Sequence, residues 1–235
     1  LGDLDIDASG TVRFNGAVAM NDAGNGLVTV SNAGLLTITA AGDMSINGIF
    51  SQDGAGAVST AGDITTTNDN INFLRAVTLT GAVALDSGSG AGTITFQSTL
   101  DGNQTLGLTA GTGAIDFDGI VGGTTPLGAV TITSAGNVTA DAAFSAASLR
   151  QVAGTGTTTF TGALATTAAA GINVDGTNFD FNSTITSTLG DLDIDASGTV
   201  RFNGAVAMND AGNGLVTVSN AGLLTITAAG DMSIN

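Results

Sequence analysis

Apolar and polar residues alternate along short stretches of this chain, and Gly, Asn or Asp residues separate each stretch from the next. In the segment LDIDASG, for example, Leu4 and Ile6 alternate with Asp3, Asp5 and Asp7. Alternation with a period of two places successive side chains on opposite faces of a β-strand. The pattern therefore predicts many short strands, each with an apolar inner side and a polar outer side, joined by tight turns.

The pattern recurs at two scales. Residues 1–47 reappear without any change at residues 189–235, so the larger repeat is 188 residues long. Within it, short boxes of the form apolar-x-Phe recur, as in Ile71-Asn72-Phe73 and Ile94-Thr95-Phe96. With weaker boxes such as Met44-Ser45-Ile46 included, their mean spacing is roughly 23 residues, which is the length of one turn of a repeat built from short strands.

These observations predict an all-β, parallel β-solenoid (β-helix) of about ten coils of roughly 23 residues each. Residues 1–235 are expected to form a single segment of one continuous rod. Residues 1–188 are one full repeat unit, and 189–235 are the start of the next identical unit. At this spacing, Leu189 is predicted to begin the same part of a turn as the chain's first residue, eight coils higher.

Stacked turns place equivalent residues one above another. The predicted inner row is Phe14, Ile46, Phe73, Phe96, Phe117, Ala140, Phe160, Phe181 and Phe202. The predicted outer row beside it is Arg13, Ser45, Asn72, Thr95, Asp116, Thr139, Thr159, Asp180 and Arg201. The inner row is interpreted as core. In the outer row Asp180 is expected to lie directly beneath Arg201, where opposite charges favour that register.

Composition removes most classes of chemistry from consideration. The chain has no Cys, His, Trp or Tyr, all of its 20 acidic residues are Asp, and all four basic residues are Arg. A catalytic triad and a lysine-bearing phosphate loop are therefore impossible within this stretch. The net charge of −16 disfavours nucleic acid and anionic membranes as partners. No apolar run is long enough to insert into a membrane.

Pairs of Asp residues remain as the only candidates for catalysis. Asp116 and Asp118 flank Phe117, and Asp175 precedes Asp180 by a few residues. Two carboxylates on one strand face could share acid and base roles, as in β-helical enzymes that degrade polysaccharides. The competing interpretation is that these carboxylates only solvate the outer face, and we expect no catalytic residues and no cofactor.

Two acidic triplets are weak candidates for a calcium site. They comprise Asp3, Asp5 and Asp7 and their counterparts Asp191, Asp193 and Asp195. A Ca²⁺ ion would relieve the repulsion among three like charges. The calcium-binding nonapeptide of known calcium rolls is absent, however, and the simpler interpretation is a solvated strand face. A regular outer array of Thr, as on an ice-binding face, is not predicted either, because Thr95, Thr139 and Thr159 share their row with charged residues.

The stretch GDLDIDASGTVRFNGAV, followed by GLLTITAAGDMSINGIF, resembles the repeat region of filamentous-haemagglutinin-like exoproteins. These are large bacterial surface adhesins of the two-partner secretion type. The resemblance covers the whole chain, but it lies in the general pattern of the repeats and not in a diagnostic motif. The secretion domain with which such proteins begin is not in this sequence. It implies a right-handed solenoid, an extracellular location on the bacterial cell surface, and a part in cell adhesion.

The predicted function is thus that of a structural, non-catalytic repeat of an extracellular filament or adhesin shaft. Its expected partners are neighbouring identical repeat units in the same rod or filament, with a cell-surface glycan or protein as a further candidate. The alternatives are a glycan- or receptor-binding β-helix module and, less favoured, a polysaccharide-degrading β-helix enzyme. A binding module would be expected to expose aromatic side chains, and an enzyme would be expected to interrupt the repeat at a groove.

Overall fold

A computed structural model describes residues 2–21, 26–210, 214–227 and 229–234 as a parallel β-solenoid. No helix occurs in these ranges, and all strand pairs are parallel. On the first face Leu4 is connected to Leu224 through ten successive in-register pairings. These pairings span 220 residues, so one turn averages 22 residues. The predicted all-β, parallel solenoid of about ten turns is confirmed.

Each turn has three faces, which we number 1 to 3 in chain order. Face 1 is one sheet of 11 strands. Its strands are β1 (Leu4–Ala8), β4 (Val28–Asn32), β7 (Phe50–Gln52), β10 (Ile71–Phe73), β13 (Ile94–Phe96), β16 (Ile115–Phe117), β18 (Val138–Ala140), β20 (Thr157–Phe160), β23 (Asn178–Phe181), β26 (Thr199–Phe202) and β29 (Leu223–Ile226).

Face 2 begins as a five-stranded sheet and continues into a sheet of 14 strands that also contains face 3. Its strands are β2 (Val12–Phe14), β5 (Leu36–Ile38), β8 (Val58–Thr60), β11 (Val77–Leu79), β14 (Leu100–Asp101), the first half of β19 (Phe144–Gln151), β21 (Leu164–Thr166), β24 (Ile185–Ser187), β27 (Val206–Met208) and β30 (Met232–Ile234). Val121 bridges Leu100 and Phe144 and so continues this face between β14 and β19.

Face 3 completes each turn. Its strands are β3 (Val18–Met20), β6 (Met44–Ile46), β9 (Ile64–Thr66), β12 (Val83–Asp86), β15 (Leu106–Thr109), β17 (Leu127–Ser134), the second half of β19, β22 (Ile172–Gly176), β25 (Leu192–Ala196) and β28 (Val216–Ser219). The eight-residue strands β17 and β19 run across the corner between faces 2 and 3 and merge the two faces into one sheet.

The core is a continuous column of apolar side chains, because every strand contributes its alternate residues to the inside. Eight Phe rings form an unbroken stack at ring-centroid distances between 5.3 and 5.8 Å. The stack comprises Phe50, Phe73, Phe96, Phe117, Phe144, Phe160, Phe181 and Phe202. Where face 1 carries the small Ala140, Phe144 of face 2 fills the space and contacts the rings on both sides.

The predicted inner and outer rows are correct from Asn72 onwards and wrong at their first members. Phe73 to Phe202 and Asn72 to Arg201 lie in register on face 1 as predicted. Arg13 and Phe14 lie instead on face 2, paired with Thr37 and Ile38. Ser45 and Ile46 lie on face 3. An apolar-x-apolar box fits any of the three faces, so the box alone does not determine which face it occupies.

The two identical stretches occupy different faces, which corrects the predicted period. Strand β1 (LDIDA) lies on face 1, whereas its counterpart β25 lies on face 3; β2 (VRF) lies on face 2 and its counterpart β26 on face 1. Leu4 reaches Val200 in nine turns, and Val200 is the counterpart of Val12. The 188-residue repeat therefore advances eight turns and two further faces, rather than eight whole turns.

A buried polar cluster interrupts the apolar column near the start of the rod. Gln52 occupies the inner position that Phe holds in later turns, and it is fully buried. Its Nε2 donates to Oδ1 of Asn32 at 2.9 Å and to the carbonyls of Gly54 and Gly56 at 3.2 Å. A Cβ at Gly56 would collide with the backbone carbonyl of Gly34, so this corner requires glycine. The cluster ties the corner between faces 1 and 2 together across successive turns.

Candidate functional site

The Asp residues next to Phe117 form the most acidic part of the outer row. Asp116 lies on β16 of face 1, is half-buried, and has Thr139 as its register partner on the next turn. Burial raises the pKa of Asp116, and the neighbouring carboxylates of Asp118 and Asp141 raise it further. A side-chain hydrogen bond with Thr139 acts in the opposite direction. The main cause of the raised pKa of Asp116 is thus its partial burial, and the neighbouring carboxylates add to it.

This arrangement brings the predicted pair Asp116 and Asp118 together, with Asp141 as a third carboxyl that sequence reasoning missed. A carboxyl with a raised pKa keeps its proton to a higher pH than an ordinary Asp, which is a property that general acids share. The second predicted pair is separated: Asp180 lies on face 1 and Asp175 on face 3. Asp180 instead accepts a hydrogen bond from Nδ2 of Asn203 at 3.2 Å, and Arg201 is its register partner as predicted.

The acidic triplets are used for hydrogen bonding between turns. Oδ1 of Asp3 accepts from the backbone N–H of Leu27 at 3.1 Å, and Oδ1 of Asp191 accepts from that of Leu215 at 2.9 Å, which is the same contact in both copies. Asp193 and Asp195 accept from the side-chain amides of Asn173 and Asn220. Among the described residues, no group of three or more carboxylates is arranged to hold a metal ion. A calcium site at the triplets stays a prediction.

The contact made by Asp3 and Asp191 belongs to a wider set of corner contacts. An Asp or Asn just before a strand, or at its first residue, accepts a hydrogen bond from a backbone N–H of the following turn, at 2.7 to 3.1 Å. The acceptors are Asp3, Asp43, Asp63, Asn70, Asn137, Asn178 and Asp191. Sequence reasoning missed this role. A signal was nevertheless present in the sequence, since most of these residues follow a Gly, as in LGD, AGD and AGN.

Two further features of the described surface are the row of outward Thr residues and a Gly-rich stretch at 88–92. The Thr residues of the outer row, Thr95, Thr139 and Thr159, share face 1 with Asp116, Asp180 and Arg201 as expected. The Gly-rich stretch at 88–92 is a turn between β12 and β13. Its Gly90 N–H donates to Oδ1 of Asn68, and Oγ of Ser87 donates to the carbonyl of Gly92.

Face 3 carries a shallow concavity of about 400 Å³, which the sequence did not indicate. Small outward residues in register produce it: Ala84, Gly107 and Thr131 are neighbours on β12, β15 and β17. Asp63 lies at its rim, and its Oδ1 accepts from the backbone N–H of Ala84 at 2.7 Å. The concavity could receive a small part of a larger ligand.

Comparison with known proteins adds no identification. No protein-family model matches the chain, and searches of curated proteins and of solved structures give no match either. Among the described residues, no helix is long and apolar enough to cross a membrane. The function must therefore be inferred from the geometry of the rod and from its surface.

Proposed function

We propose that this chain is a structural, non-catalytic segment of an elongated shaft, in a filament or adhesin on the outer surface of a bacterium. One observation carries the proposal. The strands of face 1 pair in register without interruption from Leu4 to Leu224, around an unbroken stack of Phe rings. Each turn completes the hydrogen bonding and the apolar burial of its neighbours, so length can be added without a new fold.

The surface of the rod is consistent with this role. Its outward positions are mainly Thr, Ser, Asn, Asp and small residues. The net charge of −16 opposes the lateral association of rods by electrostatic repulsion. The extracellular location and the adhesive setting rest on the resemblance of the repeats to haemagglutinin-like exoproteins. Neighbouring identical units of the same rod or filament are the partners that this role requires.

Surface labelling of the bacterium that encodes the chain tests the proposal. An antiserum raised against the purified 235-residue chain should label intact cells, and brief treatment of those cells with protease should abolish the signal. Permeabilised cells provide the control for internal antigen. Labelling that appears only after permeabilisation would place the protein inside the cell and end the proposal of a surface shaft.

A second candidate function is recognition of a cell-surface glycan, and the concavity on face 3 is the observation that favours it. Gly107 lies in its floor, and a Cβ added there would meet no atom closer than 3.9 Å. The variant Gly107→Arg should therefore fold normally and fill the concavity. If the parent chain binds a glycan on an array and Gly107→Arg does not, this site is a binding surface; equal binding by both proteins rejects it.

A further inference from the structure

A second concavity, of about 260 Å³, lies on face 1 across strands β20, β23 and β26. It is lined by two outward rows, one of Thr157, Asn178 and Thr199 and one of Asp180 and Arg201. Outward residues two positions apart on a strand are separated by roughly 7 Å, so the two rows leave a gap between them. The backbone of Phe179 lies under this gap, because its side chain is buried in the core.

This concavity lies where one repeat unit meets the next, and we call it the junction concavity. Thr157, Asn178 and Asp180 belong to the unit of residues 1–188, whereas Thr199 and Arg201 belong to the second copy, which begins at residue 189. The two units meet here because Asp180 on β23 and Arg201 on β26 are register partners. A rod of identical units would therefore carry one such concavity for every junction.

The charged groups of Asp180 and Arg201 are available to a ligand. The two residues are register partners, yet no ion pair or hydrogen bond joins their side chains within the described part of the chain. Oδ1 of Asp180 accepts from Nδ2 of Asn203 at 3.2 Å, and Oδ2 is left as a free acceptor. Arg201 is exposed. A carboxylate acceptor and a planar set of guanidinium donors thus lie side by side.

The opposite wall of the junction concavity supplies uncharged groups. Oδ1 of Asn178 accepts from the backbone N–H of Thr199 at 2.9 Å and from its Oγ1 at 3.0 Å, which holds the amide in place. Thr157 and Asn178 are half-buried, so their side chains have little freedom to move. This wall therefore adds the Nδ2 donor of Asn178 and the Thr157 hydroxyl, which can donate and accept.

This set of groups matches a neutral sugar. Neighbouring hydroxyls of a sugar ring can bridge the two charged residues, because one can donate to the carboxylate while the other accepts from the guanidinium. An anionic ligand is opposed by Asp180 and by the net charge of −16, and a cationic ligand is opposed by Arg201. The junction concavity is smaller than the usual pocket for a drug-sized ligand, so it suits one ring of a longer glycan.

We propose that the junction concavity binds one neutral sugar residue of a surface glycan. Asp180 accepts from one ring hydroxyl, Arg201 donates to the neighbouring hydroxyl, and Asn178 and Thr157 contact the other side of the ring. One shallow site binds weakly, but sites repeated along a rod act together, because later contacts form at high effective concentration. The proposal rests on the shaft function only for this repetition, and it is separate from the concavity on face 3.

Binding of coated beads to a glycan array tests the proposal. Each bead carries many copies of the purified 235-residue chain, so that weak single contacts add up. The array presents neutral and acidic glycans of known structure, and the parent chain should bind a subset of the neutral ones. Arg201→Ala and Asp180→Asn should each weaken that binding about tenfold, since each removes a hydrogen bond to a charged group. Arg201→Lys should weaken it too, because Lys lacks the planar pair of donors.

Arg150→Ala is the matched control and should bind as the parent does. Arg150 is also exposed, but it lies on face 3 beside Asn173, outside the junction concavity. Thermal unfolding of each variant checks that it folds. No binding to neutral glycans, binding to acidic glycans alone, or an equal loss in Arg150→Ala would overturn the proposal.

Neutral-glycan binding that Arg201→Ala retains and Gly107→Arg abolishes would also overturn the proposal, because it would assign the glycan to the concavity on face 3. None of these results changes the surface labelling of the bacterium. Failure of the glycan site is therefore distinguishable from failure of the shaft proposal.

Discussion

At the residue scale, the outward carboxylates of this rod differ in what surrounds them. Asp116 shares its surroundings with Asp118 and Asp141, while Asp180 occupies the same outer row beside Arg201. Burial and like charges disfavour the ionised form of Asp116, whereas Asp180 has an opposite charge as its register partner. Two residues of one type in one row therefore have opposite expected effects on stability.

Asp116→Asn should stabilise the fold at neutral pH. The raised pKa of Asp116 means that the folded state binds its proton more tightly than the unfolded state does. This carboxyl therefore lowers the stability of the fold as the pH rises from its pKa in the unfolded chain to its raised pKa in the folded chain. Asn cannot ionise and removes the penalty. The thermal midpoint of Asp116→Asn should exceed that of the parent at pH 7, and the difference should shrink as the pH falls towards about 3.9, the usual value for Asp.

Asp180→Asn is the matched control, and its midpoint should not rise, because the register partner of Asp180 on the next turn is the oppositely charged Arg201 and not another carboxylate. The explanation for Asp116 is wrong if its variant gains nothing at pH 7, or if its gain is the same at every pH.

At the element scale, the unit of construction is a three-residue strand with two inward side chains and a corner that hydrogen-bonds to the next turn. Alternation predicts such strands well, because inward and outward positions follow directly from the period of two. It does not predict the face, and the same Val-Arg-Phe box lies on face 2 as β2 and on face 1 as β26. The face that a box occupies depends on the number of residues in the corners that precede it, which the box itself does not reveal.

The corner carboxylates show a second limit of sequence reasoning. The sequence pattern assigns no role to Asp63, yet its Oδ1 accepts a hydrogen bond from the backbone N–H of Ala84 on the next turn. The partner lies 21 residues away, and no local pattern specifies it. The acid pair Asp116 and Asp118 could be predicted because both residues flank Phe117 in the sequence, whereas Asp141 joins them only through the stacking of turns.

Asp63→Ala should destabilise the rod by about 1 kcal/mol, the usual worth of one hydrogen bond, because the backbone N–H of Ala84 loses its acceptor. Asp63→Asn should retain most of the stability, since Asn70, Asn137 and Asn178 serve as acceptors at equivalent corners. Urea denaturation of the three proteins measures the difference. Equal losses for Ala and Asn would show that charge, and not the hydrogen bond, matters at this corner.

The identical copies allow a comparison of one residue in two surroundings. Phe202 is fully buried between the turns of Phe181 and Ile226, whereas its counterpart Phe14 is half-buried on the first turn. Phe202→Ala should cost about 3–5 kcal/mol, the usual range for a buried Phe. Phe14→Ala should cost clearly less in the same urea experiment. Equal costs would mean that the first turn is covered in solution.

At the scale of the whole molecule, the non-integral repeat determines how a long rod would present its surface. Each 188-residue unit advances eight turns and two faces, so identical surface residues shift by one face from one unit to the next. Three units would restore the starting face after about 26 turns, or roughly 125 Å at ~4.8 Å per turn. A ligand on one side of such a rod would meet the same residues only at that interval.

Electron microscopy of three consecutive 188-residue units tests the central claim, that the repeat builds one continuous solenoid. The expected particle is a straight, unbranched rod about 125 Å long, with a rise of ~4.8 Å per turn and identical faces related by a rotation of one-third turn per unit. Compact particles, or beads connected by thin linkers, would contradict the claim, because they would show that each unit folds separately.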